Sequence, residues 1–280
     1  MTTPPGPEED WTTLLEWVRR SRGFDGRHYK PNYLRRRVAA RMRAVGVPSY
    51  GKYLERLRSD PSEGDALFAR LTIHVTEFFR DPEVYHALVE RVLDPLRSGG
   101  GSREMKAWCA GCSTGEEPYS LALCLREWTA RHPGWDFRVL ATDIDEASVH
   151  AARVGDYPAA SVSRLDARRV SRWFERTPER VRPLGELKGR IEFRVHDLLG
   201  GWPDGWTGFD LVFCRNLLIY LGGAQQQVLY RRFHGAMREG AALVLGKTEA
   251  LLGKARRLFE CIDIPNRIYR SLPGERAEDG

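Results

Sequence analysis

The sequence predicts an α/β protein: a small all-helical N-terminal domain, then a domain with a mostly parallel sheet and an antiparallel edge strand. Three observations point there. The first hundred of the 280 residues carry apolar positions at helical spacing. From Glu104 onward, short runs rich in Val, Ile, Leu and Phe alternate with helical stretches, which is the rhythm of βαβ units. Charge divides in the same way, with 15 Lys/Arg against 10 Asp/Glu in residues 1–80, so most of the net +6 lies in the first third. The spacing places a basic helical domain over 10–85 and the α/β domain over 86–280.

The elements follow in order. "DWTTLLEWVRRSRG" opens on Asp10 as a candidate N-cap and closes on Gly23, and "YLRRRVAARMRAVG" closes in the same manner on Gly46. In the second of these, Leu34, Val38, Met42 and Val45 form one stripe. Arg36 and Arg43 project from the opposite face, with Arg37 and Arg41 on its flank. "SYGKYLERLRSD", "GDALFARLTIHV" and "DPEVYHALVERVLDPLRSG" continue the helical pattern up to the Gly/Ser-rich loop Ser98–Glu104. Strand-like runs then appear in "EMKAWCAG", "DFRVLATDID", "RIEFRVHDL" and "FDLVFCRNLLIY", with helices predicted at "EEPYSLALCLREWTARH" and "DEASVHAARVGDY". Near the C-terminus "AALVLGKTE" and "FECIDIPNRIYRS" read as two strands around "ALLGKARRL", the last suited to pair antiparallel at the sheet edge. No internal repeat or long low-complexity tract is found.

Composition excludes several classes. Hydrophobic content of 42% with 29% charged residues is ordinary for a globular protein. No run approaches the ~18 apolar residues of a membrane span, and the N-terminus "MTTPPGPEED" lacks the regions of a signal peptide. A cytoplasmic protein is expected, and five cysteines without an export signal argue against a disulfide framework. Nothing demands more than a monomer.

The stretch "WCAGCSTGEEPYSLA" (Trp108–Ala122) carries the chemistry. Its C-x-x-C spacing has no second Cys or His pair to complete a metal site, and Cys109 belongs to a strand, so no metal is expected and the cysteines are read as small residues around a tight turn. The turn is not G-x-G-x-x-G, and acids open the following helix, where a pyrophosphate would want free N–H groups. A cofactor without phosphates and carrying positive charge suits these surroundings. Asp143 ends the second strand, where a carboxylate can accept from ribose hydroxyls, and Asp197 ends the third, where an acceptor can read an adenine amino group. S-adenosylmethionine meets all of these conditions, although either aspartate taken alone also reads as a helix cap.

"LTIHVTEFFRDPEVY", "WCAGCSTGEEPYSLAL", "ATDIDEASVHAARVGDY", "FRVHDLL" and "FDLVFCRNLLIYL" occur in the order and at the spacing of the chemotaxis receptor methyltransferases, and the chain resembles this CheR family from about residue 15 to residue 271. The resemblance implies a Rossmann-like S-adenosylmethionine-dependent methyltransferase domain that forms glutamyl methyl esters on chemoreceptor cytoplasmic helices. By motif matching it implies a cofactor shell of Thr76, Arg80, Glu117, Asp143, Asp197, Leu198, Arg215 and Asn216, with Glu117 facing the cofactor's amino group and Arg80 and Tyr220 nearest the transferred methyl. His74 stands where many members have Asn; it reads equally as a cofactor contact and as a packed, satisfied histidine. Arg37, Arg41 and Arg43 match the family's substrate helix. After "SRWFER" the stretch "TPERVRP" lacks the Gly-containing insertion of members that dock a receptor's C-terminal pentapeptide, so no such tether is expected.

A glutamate ionises near pH ~4.3, so the acceptor is already a nucleophile and no general base is required. That agrees with the absence of any catalytic His/Asp or Ser/His pair from the motifs. Nucleic acid as partner is disfavoured, because aromatics are not interleaved with the basic stretch and "RNLLIY" stands where an "NPPY"-like motif would. Methylation of another substrate and a non-catalytic cofactor-binding scaffold are the competing readings.

Overall fold

The computed structural model describes residues 6–72, 74–96 and 103–273. Residues 98–102 of the Gly/Ser loop expected to precede the α/β core lie outside that set. The chain forms two compact units, Met1–Ile73 with Tyr220–Gln225, and His74–Ile219 with Gln226–Gly280. The division falls at residue 73, whereas the sequence pattern suggested 85. Helical pattern persists on both sides of the break, but Thr72 is already extended, and His74 hydrogen-bonds within the second unit.

In the first unit four helices pack together: α1 (Pro7–Arg22), α2 (Pro31–Ala44), α3 (Tyr50–Ser59) and α4 (Pro61–Leu71). The first begins three residues before the expected Asp10 cap and ends as expected on Gly23, in the left-handed region at φ 69°. On α2, Leu34, Val38 and Met42 are buried, Val45 is half-buried, and Arg36 and Arg43 are exposed, as the periodicity predicts. α4 opens earlier than predicted, because Asp60 caps it by accepting from Ser62 N at 3.1 Å, and it stops at Leu71. Thr72, His74 and Val75 are therefore not helical.

The second unit opens with α5 (Pro82–Leu88), which runs through a π turn (Val89–Leu93) into α6 (Asp94–Leu96). Then follow β1 (Glu104–Ala110), α7 (Glu116–Arg131), β2 (Asp136–Asp143), α8 (Glu146–Val154) and β3 (Tyr157–Pro158). After these come α9 (Ala167–Trp173), β4 (Phe174–Arg176), β5 (Arg180–Pro183), α10 (Gly185–Lys188), β6 (Ile191–Val195) and β7 (Phe209–Cys214). The chain closes with α11 (Gly223–Ala236), β8 (Met237–Leu245), β9 (Phe259–Asp263) and β10 (Ile268–Ser271). The main sheet has the order β6-β2-β1-β7-β8-β10-β9, its first five strands parallel. The chain winds outward from β1 through β2 to β6, then returns to the other side of β1, so a topological switch point lies between β1 and β7. Trp108 of β1 is fully buried among Trp202, Trp206, Phe209 and Phe233, anchoring one face of the sheet.

The C-terminal expectation is corrected in detail. "FECIDIPNRIYRS" is two strands, because Asp263 accepts from Asn266 N at 2.9 Å and Arg267 turns at φ 54°. β10 therefore pairs antiparallel with both β8 and β9, and β9 forms the edge. "ALLGKARRL" contains only a 3₁₀ turn. The small sheet β3-β5-β4 was not legible as strands, since its members have two to four residues.

Candidate functional site

The C-terminal ends of β1, β2, β6 and β7 gather the polar residues. After β1 the chain turns through Gly111 (φ 86°), Ser113 (φ 48°) and Gly115 (φ 101°). Gly111 N and Cys112 N both donate to Thr142 O, at 2.8 and 2.9 Å, and Ser113 N donates to Asp143 Oδ2 at 2.8 Å. The turn is thereby lashed to the end of β2. A Cβ on Gly115 would lie 2.7 Å from Tyr157 Oη and 2.8 Å from Ala152 Cβ, so glycine is required by packing as well as by φ.

Asp143 uses one lone pair on each oxygen, accepting from Ser113 N and, at 3.1 Å, from Asp145 N. Further lone pairs remain for ribose hydroxyls. Burial pushes its carboxyl up, and these N–H groups draw it back. Asp145, overlooked in the sequence, caps α8 and receives Ser148 Oγ at 2.7 Å and His74 Nε2 at 3.1 Å. Burial raises that carboxyl, but His74 and Ser148 outweigh it and leave the group below its ordinary range. His74 Nδ1 also faces Ser148 Oγ at 3.0 Å and Ser113 Oγ at 3.4 Å. Both ring nitrogens are thus turned on protein groups, Nε2 on Asp145 and Nδ1 on the two serine hydroxyls.

Glu117, in the first turn of α7, accepts from Arg215 Nη1 at 2.9 Å, while Arg215 Nη2 reaches Asp81 at 2.6 Å. The Arg215 side chain is 0% exposed. Burial alone lowers its affinity for a proton, and Glu117, Tyr85 and Asp81 more than restore it. For Glu117, burial raises the carboxyl and Arg215 opposes the rise. Arg215 Nε and the Tyr85 hydroxyl are buried without a hydrogen-bond partner among the described residues.

Arg80 stands between Phe79 (φ 51°) and Asp81 (φ 56°), two non-glycine residues in the left-handed region, each costing about 1–2 kcal/mol. The strain is held by Phe79 N donating to Ser120 Oγ at 2.8 Å and by the Asp81 ion pair with Arg215. Arg80 Nη1 donates to Val75 O at 2.8 Å, and Thr76 lies half-buried in the same extended segment. At the end of β6, Asp197 caps its own turn through Leu199 N at 2.9 Å. The buried Leu198 accepts through its carbonyl from Trp202 Nε1 at 2.9 Å and Arg232 Nη1 at 3.2 Å.

Asn216 leaves β7 at φ 61°, its N–H donating to Glu249 at 2.9 Å. Glu249 is a second residue missed in the sequence; the signal available was an acid three residues after the glycine that follows a strand, in "GKTE". Cys109 and Cys112 are buried thiols pushed well up by burial, and no His/Cys/Asp/Glu group suited to a metal occurs among the described residues.

The residues expected to meet substrate divide. Arg43 is exposed and Arg37 lies half-buried with its guanidinium 5.5 Å from the Tyr33 ring. Arg41 does not stand free beside them: it forms a bidentate pair with Glu63, which is 4% exposed and also accepts from Tyr53 Oη at 2.6 Å. Tyr220 belongs to the helical unit, its ring 4.8 Å from that of Tyr33 and its carbonyl accepting from Lys30 N at 2.9 Å.

This donor set fits a phosphate-free adenosine cofactor with an amino-acid end. The carboxylates of Asp143, Asp197 and Glu117 lie beside the C-terminal ends of the strands, and the buried Arg215 Nε and Tyr85 hydroxyl near Glu117 lack partners among the described residues. A sheet whose first five strands are parallel, with polar residues gathered at their C-terminal ends, defines the Rossmann-like class of proteins. Two family models match: "CheR methyltransferase, SAM binding domain" over residues 74–268 and "CheR methyltransferase, all-alpha domain" over 9–72. The chain belongs to the CheR methyltransferase family, and S-adenosylmethionine is its cofactor.

It is 31% identical over 252 residues to a chemotaxis protein methyltransferase of Listeria monocytogenes, covering 90% of this chain and 94% of that one. Identity to the chemotaxis protein methyltransferase of Escherichia coli is 32% over 235 residues, 82% of this chain and 80% of the relative. A 104.1 kDa uncharacterised protein of Rhodobacter capsulatus is 34% identical over 272 residues; the match covers 96% of this chain and 28% of that protein. No helix among the described residues is long and apolar enough to cross a membrane.

Proposed function

We infer that this enzyme methylates glutamate side chains on the cytoplasmic helices of chemoreceptors. The observation that carries the reading is the set of carboxylates at the ends of β2 and β6 and at the start of α7, in a chain whose relatives are named chemotaxis protein methyltransferases. When bound, S-adenosylmethionine would supply a methyl group made electrophilic by its sulfonium, to which an already ionised carboxylate could bond as the neutral thioether S-adenosylhomocysteine leaves, with no proton to remove.

Asp143 receives the ribose, Asp197 with Leu198 borders the adenine, and Glu117, oriented by Arg215, receives the ammonium. Thr76 and Asn216 complete the shell, with His74 acting through Asp145 and Ser113. Arg80, steadied by Val75 O and two left-handed neighbours, aims its remaining N–H groups at the incoming carboxylate. Tyr220 borders the acceptor. Alignment and exclusion of water from the acceptor anion supply the rate, so no base is required. Arg37 and Arg43 meet acidic groups on the substrate helix, an attraction that salt weakens because Arg43 is exposed. Arg41 supports α2 from within. The protein works in the cytoplasm as a monomer. It needs no receptor pentapeptide, in keeping with a β4–β5 connection of only Thr177–Glu179, closed by Thr177 N donating to Arg180 O at 2.8 Å.

The test is transfer of tritiated methyl to membranes carrying the host's chemoreceptors, read as methanol released by mild base. Base-labile label that disappears in Arg80→Ala is expected; base-stable label would overturn the glutamyl ester. Receptors with and without a C-terminal pentapeptide should be methylated alike.

A further inference from the structure

Glu249 is 3% exposed, and among the described residues no charged side chain bonds to it. Instead its carboxylate collects four backbone N–H groups: Leu218 at 2.7 Å and Ile219 at 3.3 Å on Oε1, Asn216 at 2.9 Å and Gly246 at 2.7 Å on Oε2. Three of these donors come from the loop after β7, turned inward because Asn216 takes φ 61°. Convergent backbone N–H groups of this kind form an anion-binding hollow. Here the anion is the protein's own.

The fourth donor, Gly246, follows the last residue of β8, and Glu249 N returns a bond to Gly246 O at 2.8 Å. One carboxylate therefore ties the ends of β7 and β8 together. The approach is so close that a Cβ on Gly246 would sit 2.8 Å from Asn216 N, Asn216 Nδ2 and Glu249 Oε2. None of these bonds belongs to the sheet ladder. They fix the loop that begins at Arg215 and Asn216, two residues of the proposed cofactor shell.

We propose that Glu249 is a positioning residue, an internal anion that holds the loop from Arg215 to Ile219 in its cofactor-binding form, and that the hollow it fills accepts a small carboxylate in its place. The proposal rests on the cofactor-site reading above.

The experiment compares wild type, Glu249→Ala and Glu249→Gln by calorimetric titration with S-adenosylhomocysteine, with and without formate. Formamide and chloride at matched concentration serve as controls. Four buried donors left without an acceptor should weaken binding by Glu249→Ala roughly tenfold to a hundredfold. Formate should restore most of that loss, formamide and chloride should not, and wild type should be indifferent to all three. In Glu249→Gln the hollow stays filled while the amide NH₂ opposes one pair of donors, so binding weakens and formate has no effect. If Glu249→Ala does not fold, the glutamine variant decides: affinity equal to wild type refutes the proposal. Equal affinity in the alanine variant, or rescue by formamide as well as formate, also refutes it. Wild-type protein that fails to bind S-adenosylhomocysteine would overturn the cofactor site itself, an outcome distinct from the others.

Discussion

Arg41 and Arg43 lie two residues apart on α2 and face opposite fates on substitution. Arg41 is 24% exposed at its side chain and Glu63 5%, with the pair bidentate and Tyr53 Oη completing the carboxylate. Removing the arginine leaves a buried charge whose counter-ion is gone, which costs about 3–5 kcal/mol when both partners are fully buried. Water reaches Arg41 partly, so Arg41→Ala should cost about 2–3 kcal/mol. For a unit of this size each kcal/mol moves the midpoint about 4–8 °C, so a fall of roughly 10–20 °C is expected. Arg43→Ala should stay within about 0.5 kcal/mol of wild type. The assay is hydrogen exchange on peptides from α2 and α4 in the full chain, together with its thermal midpoint.

The pH dependence adds a sign. Burial raises the Glu63 carboxyl, but Arg41 and Tyr53 hold it below its ordinary range. In wild type its contribution is therefore full above the unfolded glutamate value and is lost as pH falls through the lower folded value. In Arg41→Ala burial dominates and the sign reverses, so the variant recovers relative stability as pH drops from 7 toward 5. Arg41→Ala with wild-type exchange and midpoint, yet with receptor docking weakened as much as in Arg43→Ala, would refute the strut and return Arg41 to the docking surface.

Three further outcomes are expected. Asp143→Asn loses acceptor strength toward Ser113 N and Asp145 N as well as toward the ribose proposed to meet it, so the affinity for S-adenosylhomocysteine should fall roughly tenfold to a hundredfold, measured by calorimetry. Gly115→Ala drives a Cβ into Tyr157 Oη and Ala152 at φ 101°, and should lower both the melting temperature and the cofactor affinity; binding equal to wild type would show that the turn can shift. Of the five thiols only Cys261 is exposed, and burial lifts Cys124 to about 12, so a disulfide reagent should titrate one thiol in the native chain and five in denaturant.

Fold class was legible because the sheet's inner strands are buried on both faces and read as continuous apolar runs between helical ones. β1, with Met105 and Ala107–Ala110 all buried, is the plainest case. Boundaries were less legible where two signals overlap. The run "LTIHV" continues the apolar texture of α4 across the boundary, and the partners of His74 show that the segment from that residue belongs to the second unit. At the C-terminus, an Asx turn at Asp263 splits what periodicity reads as a single strand.

Asp143 and Asp197 were picked out in the sequence because each closes a strand-like run, where a carboxylate can meet a ligand, and Glu117 through the family resemblance alone. Glu63, Asp145 and Glu249 were not, and they share a property that explains the omission. Each is an acid satisfied from within the fold, by an arginine with a tyrosine, by a histidine with a serine, or by four backbone N–H groups. Nothing in spacing separates such a residue from a solvated surface acid, since its partners lie elsewhere in the chain or on the backbone, which has no sequence identity. What separates them is the energy of exposure: a solvated acid can be replaced at little cost, whereas each of these leaves buried donors or cations unmatched. The same argument accounts for Arg41, expected at the docking surface because it matches the family's substrate helix on the flank of the basic face. Helical position fixes only the direction of the Cβ; a long side chain goes where its counter-charge is, and Glu63 sits in the core of the bundle.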